Sequence, residues 1–183
     1  PGLCQVRFDN TIPQTAMKYY QDREFDKAAP LFKDIHSVTG NIYYFRLYIQ
    51  CLIELQEFEQ AENDLKKEIR KSKEQKPELL IQYGFLLSLQ KNTEEARQKY
   101  DDAIRFTPVN RNSIINTANL FLEFREYEMA EKVYLYGKKE LPQEEFTIEL
   151  AQVHLLLRNY SRLMEELLDA VKHSEDNLPR VEN

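Results

Sequence analysis

Apolar side chains recur every three to four residues along most of the chain, in segments separated by short polar breaks. Residues 77–110 show this most clearly, because two such segments flank the polar break Gln90-Lys91-Asn92-Thr93. An α-helix has 3.6 residues per turn, so this spacing places the apolar positions on one helical face. Alternating β-branched residues, which would indicate strands, are nearly absent. The chain is therefore predicted to be all-α, with ten helices in antiparallel pairs.

The helical pattern itself repeats about every 34 residues. Each predicted second helix carries the same small anchor, except that the fifth carries Leu163 in its place. Aligned on these anchors, successive units start 33, 35, 34 and 33 residues apart, which is too regular over five units to be a chance match. The anchors are Ala28, Ala61, Ala96 and Ala130, and the predicted units are 9–41, 42–76, 77–110, 111–143 and 144–177. Residues 1–8 are read as an N-terminal arm, and residues 178–183 as the start of a truncated further unit or a linker.

Small residues also recur on the predicted first helices. Where two helices cross closely, only small side chains fit between their axes, and large side chains fill the grooves beside them. The period, together with this placement of small residues, predicts that each unit packs two helices against the next unit. The small positions on the first helices are Ala16, Gly84, Ala118 and Ala151.

The unit of residues 77–110 resembles the tetratricopeptide repeat, a helix–turn–helix unit of 34 residues. The resemblance is carried by Gly84, Ala96, Tyr100, Ala103 and Pro108. It implies a right-handed superhelix (a solenoid) of about five repeats, with the first helices lining a concave groove. It further implies a non-catalytic scaffold that binds a partner protein or extended peptide in that groove. The groove positions that the resemblance selects as candidate binding residues are Tyr43, Arg46, Gln50, Gln82, Phe85, Asn112, Asn116 and Asn119.

Some members of this family hold a peptide carboxylate with a clamp of Lys, Asn and Arg. This chain departs from that clamp, because Asn112 and Asn116 stand where Lys and Arg are expected. Gln50 stands where Asn is expected, and only Arg46 keeps a positive charge. The resemblance therefore indicates a fold and a binding mode without selecting a particular partner.

The net charge of −6 argues against a general nucleic-acid binder, which needs a basic surface. No apolar stretch is long enough to span a membrane. His36, His154 and His173 are isolated from one another and from any cysteine, so no catalytic or metal-ligand constellation is predicted. With 4 glycines and no glycine-rich loop, a phosphate cradle is also excluded. We expect no enzyme activity and no cofactor.

Two alternatives stay open at this stage. The chain could be an N-terminal regulatory or adaptor repeat region of a larger protein whose catalytic or sensor domain lies further along. It could also self-associate through its last helix, where Leu163, Leu167, Leu168 and Val171 form an apolar stripe without an evident cover. The compartment stays open too: cytoplasmic, or exported if the first residues are the remnant of a signal peptide.

Overall fold

The computed structural model describes residues 11–71 and 76–176, with side chains described up to residue 171. The predicted arm (1–8) and the segment 178–183 lie outside these ranges. Within them, the chain forms ten α-helices and no strand, which confirms the all-α prediction. The helices are α1 (Thr11–Gln21), α2 (Phe25–Thr39), α3 (Ile42–Glu54), α4 (Phe58–Lys71), α5 (Lys76–Leu89), α6 (Thr93–Arg105), α7 (Arg111–Glu123), α8 (Tyr127–Glu140), α9 (Thr147–Leu156) and α10 (Tyr160–Asp176).

The helices fall into two compact units, and the division lies within α6, between Ala96 and Arg97. In the first unit α1, α2, α3, α4 and α5 pack consecutively along the chain, and α3 also contacts α5. In the second unit α7, α8, α9 and α10 pack in the same consecutive way. Neighbouring helices joined by short turns are antiparallel, which is the helix–turn–helix arrangement expected of these repeats.

The same turn connects the two helices of every repeat. In each turn one residue that is not glycine has a positive φ, between 56° and 63°. These residues are 33, 35, 34 and 33 positions apart, the same intervals that the small anchors predict. The predicted helix–turn–helix repeat is thereby confirmed for the described residues. The five left-handed residues are Arg23, Gln56, Lys91, Arg125 and Arg158.

Backbone hydrogen bonds explain why these residues adopt the left-handed conformation. In the third repeat, Lys91 N donates to Ser88 O at 3.0 Å, and Asn92 N donates to Leu87 O at 3.0 Å. This pair of bonds is the Schellman motif, which satisfies the last carbonyl groups of a helix. The chain then re-enters a helix at once, because Ala96 N donates to Asn92 O at 3.0 Å. The equivalent bonds recur in the other four turns.

The small residues at the recurrent positions are buried. Ala16, Ala28, Ala61, Ala118 and Ala130 are all fully buried, and Gly84, Ala96 and Ala151 are buried as well. Leu163, which replaces the anchor in the last repeat, is only half-buried. The recurrent small residues are therefore packing positions, as their spacing predicts.

The last repeat begins differently from the others. The helix α9 starts at Thr147, three residues after the predicted unit start at Glu144. Phe146, 1% exposed, packs its ring 5.9 Å from the ring of Tyr134. Its ring also lies against Gly137, which has no side chain to obstruct it. The insertion of Phe146 into the core thus delays the helix.

Candidate functional site

In the first unit, a hydrogen bond joins two of the predicted binding positions across α3 and α5. Gln82 Nε2 donates to the backbone carbonyl of Arg46 at 2.9 Å. Gln82 is only 1% exposed, so it departs from the expectation that its amide faces a ligand. A buried amide must find partners within the protein. Gln82 therefore holds the backbone of Arg46 in place and leaves the contact with solvent to its neighbours.

Three predicted residues of the first unit do reach the surface beside this link. Tyr43 is 47% exposed, while Arg46 and Gln50 are half-buried. These residues are three and four positions apart on α3, so they share one helical face. Phe85 on α5 is half-buried, with one side of its ring against the hydrophobic core. We refer to Tyr43, Arg46, Gln50 and Phe85 as the α3/α5 face.

Positively and negatively charged side chains both lie on or beside this face. Gln50 Nε2 donates to Glu54 Oε1 at 3.2 Å, and Arg23 lies 3.8 Å from the other carboxylate oxygen of Glu54. Burial raises the pKa of the Tyr20 hydroxyl, and the neighbouring Cys51 and Glu54 act in the same direction. The α3/α5 face therefore combines a guanidinium with aromatic rings, and the carboxylate of Glu54 lies beside it.

Tyr20 is a member of this neighbourhood that the sequence reasoning missed. Its hydroxyl interacts electrostatically with Tyr43 and Arg46, while its ring packs 5.6 Å from Phe25. The groove positions predicted from the sequence begin in the second repeat and therefore include no residue of α1. The signal was present in the sequence, because Tyr20 lies four residues, about one helical turn, after the small anchor Ala16.

In the second unit, the three predicted asparagines lie on one face of α7. Asn112, Asn116 and Asn119 are all exposed, and their spacing of four and three residues aligns them along the helix. Asn110 differs from them, because its Oδ1 caps the helix by accepting from Ser113 N at 2.9 Å. Within the described part of this unit, the three exposed amides make no such contact. We refer to them as the α7 asparagine row.

Arg111 connects α7 to α9 at the start of this row. Its guanidinium donates to Glu149 Oε1 at 2.6 Å and to the backbone carbonyl of Glu145. The same group lies 5.0 Å from the centre of the Phe146 ring. A guanidinium that is bonded on two sides and stacked on a ring is held in one orientation. Arg111 and Glu149 therefore fix the N-terminal end of α7.

The first unit also has a cleft formed by the second helices of its repeats, α2 and α4. It is an open cleft of about 770 Å³ whose polar lining includes Lys33, Gln60, Asn63 and Lys67. Asp64 at its base accepts from Tyr48 Oη at 2.8 Å, from Lys33 Nζ at 3.3 Å and from Lys67 Nζ at 3.2 Å. Its charges are thus largely compensated within the protein, which leaves little to attract an ionic ligand.

The described histidines and cysteine have structural partners. His36 Nε2 lies 3.4 Å from Glu68, and the imidazole packs 5.0 Å from the Phe45 ring. His154 is buried, with 2% of its surface exposed, and its Nδ1 lies 3.6 Å from Glu131 Oε1. Burial raises the pKa of the Cys51 thiol to about 12, so it is not a thiolate near neutral pH. The side chain of His173 lies outside the described residues.

Neither a metal site nor a membrane span emerges from the described residues. No group of three or more His, Cys, Asp or Glu side chains among them is arranged to hold a metal ion. None of the helices described is both long enough and apolar enough to cross a bilayer.

Comparison with known proteins gives structural likenesses only. No family model matches the chain, and no curated protein matches it in sequence. The structure of Naa15/Naa10 bound to HypK-THB is similar at 20% identity and a TM-score of 0.47, over 89% of this chain and 25% of that one. A tetratricopeptide repeat protein from Parabacteroides merdae is similar at 18% identity and a TM-score of 0.45, over 88% of this chain and 63% of that one. The TPR2AB-domain:pHSP90 complex of yeast Sti1 is similar at 13% identity and a TM-score of 0.47, over 89% of this chain and 76% of that one.

Proposed function

We propose that this protein is a non-catalytic interaction scaffold that binds an extended segment of a partner protein on its first helices. The observation that carries the proposal is the burial of Gln82 beneath Arg46. A protein that orders the backbone under a half-buried charged side chain reduces the entropy lost on binding. Preorganised Arg and aromatic side chains are also the usual hot spots of protein interfaces.

The α3/α5 face supplies the anchors of this proposal. Phe85 offers an apolar surface, since one side of its ring is already packed against the core. Arg46 offers a charged fork suited to an acidic side chain or a carboxylate. Tyr43 adds an exposed ring with a polar hydroxyl. The face therefore suits a segment with an apolar residue near an acidic one.

The α7 asparagine row supplies a different contact. Each amide carries both a donor and an acceptor, so it can pair with the backbone of an extended peptide whatever its side chains are. Asn112 and Asn119 are seven residue steps apart on the helix, a span of about 10 Å at the α-helical rise of about 1.5 Å per residue, with Asn116 between them. That span covers about three residues of extended peptide. We propose that the row is a contact surface of the second unit by itself, which binds peptide backbone without sequence preference.

The experiment starts from a peptide selected on the intact protein from a display library of random 12-residue segments. Its binding is then measured by calorimetry for wild type, Arg46→Ala and Phe85→Ala. We expect each change to cost about 2 kcal/mol, roughly a 30-fold loss of affinity. For a selected peptide that binds the asparagine row, removing one amide should cost less, about 0.5–1.5 kcal/mol, because a neutral hydrogen bond is exchanged for water.

Matched controls decide whether these losses are specific. Arg70→Ala and Asn63→Ala change the same residue types on α4, away from the proposed surface, and should leave affinity unchanged. Circular dichroism checks that every variant keeps its helicity. If Asn63→Ala weakens binding and Arg46→Ala does not, the partner occupies the cleft between α2 and α4 and the proposal is overturned. Failure of the library to give any binder for the intact protein would also count against it.

A further inference from the structure

The outward face of α10 is a continuous apolar stripe. Five of its side chains are between 41 and 61% exposed, although all five are large and apolar. At 100° per residue they lie within an arc of about 100°. Scattered single apolar residues are ordinary at a protein surface, but a contiguous stripe marks an interaction site. We call this stripe the α10 seam, and its members are Tyr160, Met164, Leu167, Leu168 and Val171.

The opposite face of α10 is already occupied within the second unit. Glu166 lies 3.6 Å from Lys138 of α8, and Arg162 is paired with Glu131 of the same helix. Leu163 is half-buried on this inner side, so it does not belong to the exposed stripe as its sequence suggested. These contacts fix the rotation of α10 about its axis and hold the seam outward.

Four members of the seam have the spacing of a coiled coil. Tyr160, Met164, Leu167 and Val171 are separated by four, three and four residues, which is the a/d pattern of heptads. The intervals of four, three and four residues come in the same order from either end of the helix. If a second copy of the helix lies antiparallel, Tyr160 meets Val171 of that copy and Met164 meets its Leu167. Every apolar position then has an apolar partner, and the largest side chain meets the smallest β-branched one.

Charge does not oppose such a pairing. Beside the stripe lie Ser161 on one side and the half-buried Leu163 and Ala170 on the other. A symmetric interface places the same patch against itself, so a charge near its centre would meet its own kind. The α10 seam carries no charged side chain. Antiparallel helices also align their dipoles favourably.

The size of the seam is sufficient for a weak dimer. Five large side chains that are about half exposed offer roughly 400–500 Å² per copy, judged from the areas that such side chains bury. Two copies would bury roughly 800–1,000 Å² in total, which is less than the roughly 1,200 Å² of stable specific interfaces and is typical of weak, transient ones. We propose that α10 is the interface of a homodimer, with two copies of α10 antiparallel and in register about the midpoint between Glu165 and Glu166. The α10 seam shares no residue with the peptide-binding surfaces proposed above.

The test is sedimentation equilibrium of the full chain from micromolar to millimolar concentration. Wild type should be monomeric at low concentration and dimeric at high concentration. Leu168→Glu, and Leu168→Gln as an uncharged second variant, should weaken dimerisation at least tenfold. Leu135→Glu makes the same change at an exposed apolar position of α8 and should leave it unchanged. A wild type that stays monomeric at millimolar concentration overturns the proposal, as does a dimer that both Leu168 variants leave intact.

A charge-pairing experiment tests the orientation. Met164→Glu and Leu167→Lys should each weaken self-association when examined alone. Mixed together, they should form a heterodimer, because the antiparallel register places residue 164 of one copy opposite residue 167 of the other. A parallel pair would leave Glu opposite Met and Lys opposite Leu, so recovery would be absent. No recovery on mixing would therefore overturn the antiparallel arrangement.

Discussion

Gly137 offers a direct test of how closely α8 packs within the second unit. A Cβ atom added there would lie 2.7 Å from Ile114 Cγ2 and 3.0 Å from Phe146 Cε2. Carbon atoms that are not bonded prefer about 3.5–4.0 Å, so the methyl group of alanine overlaps both neighbours. Ile114 is fully buried and its Cγ2 sits on a stiff branch, so it cannot turn aside into solvent.

Two terms of opposite sign set the expected magnitude. Alanine is about 1 kcal/mol better than glycine inside a helix. Overpacking a tight contact costs about 1–3 kcal/mol. We therefore expect Gly137→Ala to lower the free energy of unfolding by about 1 kcal/mol, or the melting temperature by about 2–4 °C for a chain of this size.

The assay is urea and thermal unfolding followed by circular dichroism, with Ile114→Leu as the partner change. Leucine has a similar volume but no branch at Cβ, so it removes the atom that the new methyl group meets. In a double-mutant cycle, Gly137→Ala should be less harmful in the Ile114→Leu background than in wild type. A gain of the full helix-propensity term in the wild-type background would refute the close approach. Additive effects in the cycle would show that Ile114 is not the obstacle.

Three further predictions concern single residues. Lys91→Gly should raise the free energy of unfolding by about 0.5–1 kcal/mol, because glycine adopts the left-handed conformation without strain; Lys91→Ala, which keeps the strain, should give no gain in urea unfolding. At Asp64, burial raises the pKa, but hydrogen bonds from Tyr48 and two lysines outweigh it and hold the pKa below its usual value. Asp64→Asn should therefore lower stability at pH 7, and its deficit relative to wild type should shrink as the pH falls below about 4; a deficit unchanged at pH 3 would exclude this carboxylate as the cause. The thiol of Cys51 has a pKa of about 12, so it should react with a thiol reagent at pH 8 only when the protein unfolds. The labelling rate is measured in a Cys4→Ser background, so that Cys51 is the one cysteine present. Rapid labelling of the folded protein would contradict the burial of Cys51.

The sequence alone determined the helical class and the repeat period. Helix formation follows a local rule of 3.6 residues per turn, and small residues such as Ala61 and Ala130 mark close crossings wherever they recur at a fixed interval. Both signals can be read without knowing which helices touch. The resemblance selected Asn112, Asn116 and Asn119 as groove positions, and the three residues lie on one exposed face of α7.

Tertiary packing decided the features that residue type alone does not indicate. Lys91 and its equivalents have no preference for the left-handed region, and they adopt it because the turn bonds between two packed helices require it. Gln82 reads as a polar surface residue, yet the approach of α5 to α3 buries it under Arg46.

In the last helix, α10, the sequence likewise determined one feature and tertiary contacts decided another. Its sequence pattern establishes that an apolar stripe exists, and it counts Leu163 as part of that stripe. The ion pairs of Arg162 and Glu166 with α8 set the rotation of the helix. That rotation turns Leu163 inward and Tyr160 and Met164 outward. Periodicity reports which residues share a face, but only contacts with neighbouring helices select the face that meets solvent.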